Sequence, residues 1–170
     1  KDKACFGVIS VSPNGEWVVV YDKSAKAWFQ YTIATGEMKN LTANLGVTFH
    51  NEDHDNPSLA GPSGQVVWFK DNSAFVISDR FDYWKFDPKG VAAPVVLTDG
   101  YGRKNNSRLS LVKLIEDPDA ERGNTWITGK DPLFFTTFNF KTKETGLVRK
   151  DITKRKRAVY GNHQRTACGI

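Results

Sequence analysis

Apolar residues recur along this chain in short β-favouring runs cut by turn signals, and no stretch keeps a helical period. The clearest block is Phe75 to Arg103, FVISDRFDYWKFDPKGVAAPVVLTDGYGR. Phe75 to Ile77 and Tyr83 to Phe86 read as two strands, the second ended by Asp87-Pro88-Lys89-Gly90. Too few residues separate them for a helical crossover, so they are antiparallel neighbours, and Pro94 to Thr98 adds a third strand. Trp84 and Phe86 then share one side of their strand, which gives the meander an aromatic face that needs a partner layer.

The pattern repeats. Asn14 to Asp22, NGEWVVVYD, lies over Asp71 to Asp79, DNSAFVISD, at an offset of 57. After a hairpin loop one residue longer in the first copy, Trp28 matches Trp84 at an offset of 56, and each tryptophan precedes a Leu-Thr pair, Leu41-Thr42 or Leu97-Thr98, by 13 residues. A fainter third copy runs from Leu133 to Phe140, turns at KTKETG and continues from Leu147 to Ile152. Repeats of this size, each a small antiparallel sheet, predict an all-β fold: a partial β-propeller of about three blades of antiparallel meander sheets. The expected blades are about 8–45, 57–104 and 105–152, followed by an irregular basic tail over 153–170.

Further strands are expected at Val8 to Val11, Trp17 to Tyr21, Trp28 to Ile33, Met38 to Thr42, Val66 to Lys70 and Arg108 to Ile115. Asp79 and Asp82 bracket a tight turn and read as its caps, not as a catalytic carboxylate pair. Asp99 to Arg103 contains Gly-x-Gly without a third glycine or a following helix, so it reads as a link between blades instead of a phosphate cradle.

Composition changes little: 39% hydrophobic and 25% charged residues are ordinary for a globular chain. No apolar run approaches the ~20 residues of a membrane-spanning helix, and the first residues, KDKACFGVIS, do not make a signal peptide. Because the chain begins almost inside its first strand, it is expected to be a fragment or a processed form. The net charge of +5 is concentrated, since residues 141–170 carry a balance of +7 and the first 140 a balance of −2. The run Lys154-Arg155-Lys156-Arg157 lacks the interleaved aromatics of a single-strand platform and reads as a solvated surface rather than a nucleic-acid site. Cys5 and Cys168 fit no metal spacing; a bond clamping the termini and two free thiols both remain open. Asn40-Leu41-Thr42 and Asn105-Asn106-Ser107 match the glycosylation pattern, which matters only on a eukaryotic secretory route.

The most suggestive chemistry lies in Val47 to Pro57, VTFHNEDHDNP, where His50, Glu52, Asp53, His54 and Asp55 fall within six positions. Asn51 stands where a zinc-protease helix needs glutamate, and the calcium-loop pattern fails as well. Two readings stay open, a structural loop with Asp and Asn bonding nearby N–H groups, and a contact for substrate or ion. No metal site and no cofactor are expected. Neither a Gly-x-Ser-x-Gly elbow nor a Cys-His constellation occurs, so no catalytic residue is assigned.

The succession NEDHDNP, WFKDNSAFVISDRFDYWKFDPKG, LTDGYGR and DPLFFTTFNFKTKETGLVRKDI resembles the amino-terminal propeller of bacterial prolyl oligopeptidase family serine peptidases, especially the large secreted ones of the Bacteroidetes type. The resemblance covers roughly Trp17 to Ile152. It rests on Glu52, Asp55 and Pro57, on Asp79, Arg80, Phe81, Asp82 and Trp84, and on Leu97 to Arg103, with Gly100, Gly102 and Arg103. The chain departs from the family at Gly61-Pro62-Ser63-Gly64 and Val67-Trp68, and from Ala158 onward; the Ser-Asp-His hydrolase domain is absent from these 170 residues. The resemblance implies a non-enzymatic gate over a peptidase active site, a peptide substrate reached through the missing α/β-hydrolase domain, and a periplasmic or extracellular bacterial location. Glu52 and Asp55 are the expected contacts for a substrate amine, because a partly desolvated carboxylate favours a cation. A three-blade arc leaves apolar faces uncovered, so self-association into a homo-oligomer is expected. The competing reading is a stand-alone secreted β module binding proteins or glycans. It would need exposed loop tryptophans, whereas Trp17, Trp28, Trp68 and Trp84 fall in strands and only Trp126 lies near a loop. An enzyme built on the His50 to Asp55 cluster ranks last.

Overall fold

Tight turns divide the chain into short strands, each too narrow to bury its apolar side alone. The computed structural model describes residues 5–112, 126–152 and 159–161, with side chains described as far as residue 152. Its first sheet contains β1 (Phe6–Val11), β2 (Trp17–Asp22), β3 (Ala27–Thr32) and β4 (Met38–Asn40). The second contains β5 (Val66–Trp68), β6 (Phe75–Ser78), β7 (Tyr83–Phe86) and β8 (Val95–Val96). A single helical turn, α1 (Tyr101–Lys104), leads to the third, built from β9 (Ser107–Val112), β10 (Leu133–Asn139), β11 (Thr145–Lys150) and β12 (Val159–Gly161). Each sheet is four-stranded and antiparallel, with its strands side by side in chain order. The fold is therefore all-β and built of meanders, as the hydrophobic alternation predicts; Gly36, at φ 72°, makes the β3–β4 turn a non-glycine residue would strain.

The sheets stack in chain order through two apolar cores. Trp17, Val19, Tyr21 and Trp28 of the first sheet meet Trp68, Phe75, Ile77 and Phe86 of the second, with Phe49 of the connecting segment between them. Phe75 stacks on Phe86 with ring centroids 5.3 Å apart and lies 4.7 Å from Trp68. On the other side of the second sheet, Ala74, Val76, Tyr83 and Leu97 meet Leu109, Phe135 and Val148 of the third. The period-2 pleat sends alternate side chains of β6 to opposite cores, which is why Phe75 to Ser78 are all buried. Complete burial of a side chain such as Phe75 stabilises the fold by ~1.5–3 kcal/mol.

The register corrects the repeat. Tyr21 opposes Trp28 across the first hairpin and Ser78 opposes Tyr83 across the second, so the first loop is two residues longer, not one. Tyr83, not Trp84, therefore occupies the place of Trp28. The hydrogen bonds agree: Trp28 N–H donates to Thr42 Oγ1 at 3.2 Å and Tyr83 N–H to Thr98 Oγ1 at 3.1 Å. The two carbonyls accept from Leu41 N at 2.8 Å and Leu97 N at 2.7 Å. A shift of one residue reverses the face, so Trp84 packs back toward the first sheet while Trp28 packs forward onto the second.

Two further expectations change. A helical turn follows Gly100 where none was expected, and β12 forms within the stretch read as irregular tail. Cys168 and the Lys154 to Arg157 run lie outside the described residues, and Cys5 is exposed.

Candidate functional site

The turn between β6 and β7 carries an aspartate at each end, and both are buried. Asp79 closes its own turn, Oδ1 accepting the backbone N–H of Phe81 at 2.6 Å and of Asp82 at 2.8 Å. Its Oδ2 accepts Trp84 Nε1–H and an Arg103 guanidinium N–H, each at 3.0 Å. Asp82 reaches forward instead. Its Oδ1 accepts the Thr98 hydroxyl at 2.7 Å and Gly102 N–H at 2.9 Å, while Oδ2 accepts Arg103 N–H at 3.0 Å. Two neighbouring buried carboxylates are tolerable because each of their oxygens has a donor.

This arrangement explains α1. Gly100 provides no side-chain cap, so after Tyr101 N–H, which donates to the Thr98 carbonyl, the next two N–H groups of the turn, Gly102 and Arg103, find their acceptor in Asp82, about twenty residues earlier in the chain. Glycine at 102 is obligatory on space: a Cβ there would stand 2.2 Å from the Phe81 carbonyl oxygen. The residues Asp79, Asp82, Trp84, Gly102 and Arg103 thus form one hydrogen-bonded junction where the second sheet hands the chain to the third, with Gly100 making the left-handed turn that leads into it. Its two aspartates act as caps, though Asp82 caps the helical turn.

Arg80 points out of the same turn toward the acidic loop. It donates to Glu52 Oε2 at 3.1 Å and to Asp53 Oδ1 at 2.8 Å. Its guanidinium lies over the Phe140 ring at 5.0 Å and near Phe81 at 5.7 Å, and Arg103 covers Phe81 at 4.9 Å. Glu52 Oε1 accepts the Thr48 hydroxyl. That hydrogen bond, with the Arg80 guanidinium behind it, holds the Glu52 carboxyl below its ordinary range. Asp55 does not join this cluster: it is exposed and has no hydrogen-bond or ion-pair partner among the described residues. His54 turns back on its own loop, its Nε2 2.8 Å from the Ser58 carbonyl, and the His50 carbonyl accepts the Ser63 hydroxyl at 2.6 Å.

A cleft of about 270 Å³ opens beside Asp79, lined by Ser63, Gln65, Ser78, Tyr83, Arg108 and Ser110. Burial pushes the Tyr83 phenol up, and its oxygen accepts Leu111 N–H at 3.0 Å. Chemically, the outer surface offers three carboxylates on residues 52–55 against one guanidinium, an excess that attracts cations. No group of three His, Cys, Asp or Glu among the described residues has the geometry of a metal site. Thr48 and Phe140 are the participants that sequence reasoning did not single out. Thr48 stands four residues before Glu52, a spacing a loop hydrogen bond could have suggested; Phe140 comes from the third sheet and carries no local signal. The fifth tryptophan, Trp126, packs against the first core and is half-buried.

No known family model matches the chain, and no curated protein matches it. The fold and junction define a class only: an all-β protein of four-stranded antiparallel meanders.

Proposed function

We propose that this chain is the non-catalytic, access-gating part of a prolyl oligopeptidase family serine peptidase, about three blades of its amino-terminal β-propeller. The observation carrying this reading is the junction: of the residues quoted for the resemblance, Asp79, Asp82, Trp84, Gly102 and Arg103 share one hydrogen-bond network and Gly100 supplies the positive-φ turn beside it, while Arg80 leaves the same hairpin for the acidic loop. Three chain-ordered meanders, the blade topology, support the same reading. In it the propeller restricts entry to peptides and unstructured chains, and cleavage belongs to a hydrolase domain beyond these residues. The acidic loop contributes the polar contact to a substrate amine. Asp55 offers an uncommitted carboxylate, and Glu52 and Asp53 exchange part of their bonding to Arg80 for the incoming cation. A periplasmic or extracellular location goes with this reading. The glycan- or protein-binding alternative gains nothing from the tryptophans, since Trp17, Trp28 and Trp68 are buried and Trp84 and Trp126 pack against the same core.

The test uses an antibody against this chain and a fluorophosphonate probe on the native source. A species several times heavier than 19.1 kDa that reacts with both is expected. Recovery of a native species of that mass that the probe leaves unlabelled would overturn the peptidase reading.

A further inference from the structure

The cleft of about 270 Å³ beside Asp79 lies between two neighbouring sheets, with Gln65 and Val67 on the β5 side and Leu109 and Leu111 of β9 across from them. Ser78 and Tyr83, which oppose each other across β6 and β7, also line it. Strand alternation turns the Arg108 and Ser110 side chains to the other face of β9 from the buried Leu109, so no guanidinium enters the cleft. The Asp79 carboxylate at its wall already takes two hydrogen bonds at each oxygen, one of them from Arg103. The lining therefore offers no uncommitted charge.

It does offer uncommitted hydrogen-bonding groups. Ser78 is 7% exposed and Tyr83 8%, so each hydroxyl hydrogen needs an acceptor close by. The Tyr83 oxygen accepts Leu111 N–H at 3.0 Å and has the Ser78 hydroxyl as a hydrogen-bonding neighbour. A bond between the two hydroxyls uses one of their hydrogens. The other has no acceptor among the described residues. Gly64 leaves this pair its room, because a Cβ there would stand 1.8 Å from Ser78 Oγ. Gln65 is exposed, and its carboxamide has no partner among the described residues.

These groups define one ligand chemistry. The spare hydroxyl hydrogen calls for an acceptor oxygen, the Gln65 carboxamide pairs with an N–H, and Val67, Leu109 and Leu111 suit a small apolar part. An uncharged amide has all three, whereas a free anion or cation would enter without a counter-charge. The volume falls just below the ~300 Å³ at which drug-sized pockets begin, which leaves room for a fragment. We propose that this cleft binds a neutral amide of about dipeptide size, its carbonyl accepting from the Ser78–Tyr83 hydroxyl pair and its N–H donating to the Gln65 carboxamide oxygen. The inference rests on the cleft and not on the peptidase reading.

Titration of the full chain with N-acetyl-alanyl-alanine N-methylamide, followed in assigned amide NMR spectra, tests it. Saturating shifts are expected at Gly64, Leu109 and Leu111, with a dissociation constant of ~1 mM, the strength of a fragment-sized ligand. Leu111 N–H should move most, because its acceptor is the Tyr83 oxygen that turns toward the ligand. Ser78→Ala should weaken binding ~3–10-fold by removing one hydroxyl of the pair. Gln65→Phe, at an exposed position, should fill the cleft and abolish the shifts, and it serves where Ser78→Ala does not fold. Two further probes sort the ligand. N-methylacetamide giving the same shifts at higher concentration assigns the site to free small amides, and shifts with the blocked dipeptide alone assign it to peptide main chain; both support the proposal. Acetate should give none. No localised shifts at the solubility limit of the dipeptide, acetate binding as well as the amide, or shifts that persist in Gln65→Phe overturn it. None of these outcomes depends on whether a hydrolase domain exists, so failure here and failure of the peptidase reading are separate results.

Discussion

Asp82 and Gly102 meet at 2.9 Å, carboxylate to backbone N–H, across twenty residues of chain. The contact joins the hairpin of the second sheet to the helical turn that starts the third. The same carboxylate also holds Thr98 and Arg103, so one buried charge fixes the direction in which the chain leaves the sheet.

Replacing Asp82 by alanine leaves the Thr98 hydroxyl and two backbone N–H groups without their acceptor in a buried place. We expect a loss of ~2–4 kcal/mol in urea unfolding, with Asp82→Asn intermediate because one amide oxygen still accepts. A change under ~0.5 kcal/mol for the alanine variant would refute the role given to this junction.

Gly102→Ala should cost several times what Gly61→Ala costs. The first places a Cβ against the Phe81 carbonyl at 2.2 Å and the Ser107 carbonyl at 2.8 Å, whereas a Cβ at 61 meets nothing within 4 Å. We expect ~1–3 kcal/mol for the former and within ~0.5 kcal/mol for the latter. Comparison of the two unfolding midpoints decides it, and equal midpoints would contradict the close approach.

The phenol of Tyr21 is buried against Trp28 at 5.2 Å between ring centroids and has no hydrogen-bond partner among the described residues. Burial, with the Asp22 charge beside it, raises its pKa from 10.0 to about 12. Its folded value lies above the unfolded one, so the neutral form is favoured by folding. Stability is full below pH 10.0 and falls as pH rises toward about 12. Tyr21→Phe should therefore be neutral to stabilising at pH 7, by up to ~1 kcal/mol, and should flatten the alkaline fall. A destabilised Phe variant would show that the hydroxyl has a partner.

Glu52 works in the opposite sense. Its folded pKa lies below the ordinary 4.5, so its contribution is present above that pH and disappears as pH falls through the lowered folded value. Acid titration of native chain and Glu52→Gln should show the native chain losing more stability below pH 4.5. The position is exposed enough that the difference will be small and reduced by salt. Superimposable titrations would mean that Thr48 and Arg80 do not engage the carboxylate in solution.

Much of the fold was legible because its signals are local. The limits Tyr83 to Phe86 are those the apolar run predicts, and β6 ends at the Ser78-Asp79 stop. The Trp28 and Trp84 match failed because equal residue types can occupy opposite faces of a pleat, and only the pairing of Ser78 with Tyr83 fixes the phase. The site was less legible. Glu52 was identified as a carboxylate of interest, but its engagement by Arg80, 28 residues away, depends on how two loops lie together.

By itself the sequence determined most of the strands and turns and the meander order, though neither β12 nor the helical turn after Gly100, because alternation and turn residues act over a few positions. It also set out the acidic loop and the aspartates of the hairpin. Only the tertiary structure decided that the second sheet is buried on both faces, that Asp82 caps a helical turn with no cap of its own, and that Arg80 sits between Glu52, Asp53 and Phe140. These depend on contacts between segments distant in the chain, whose distances and directions arise only when the sheets pack.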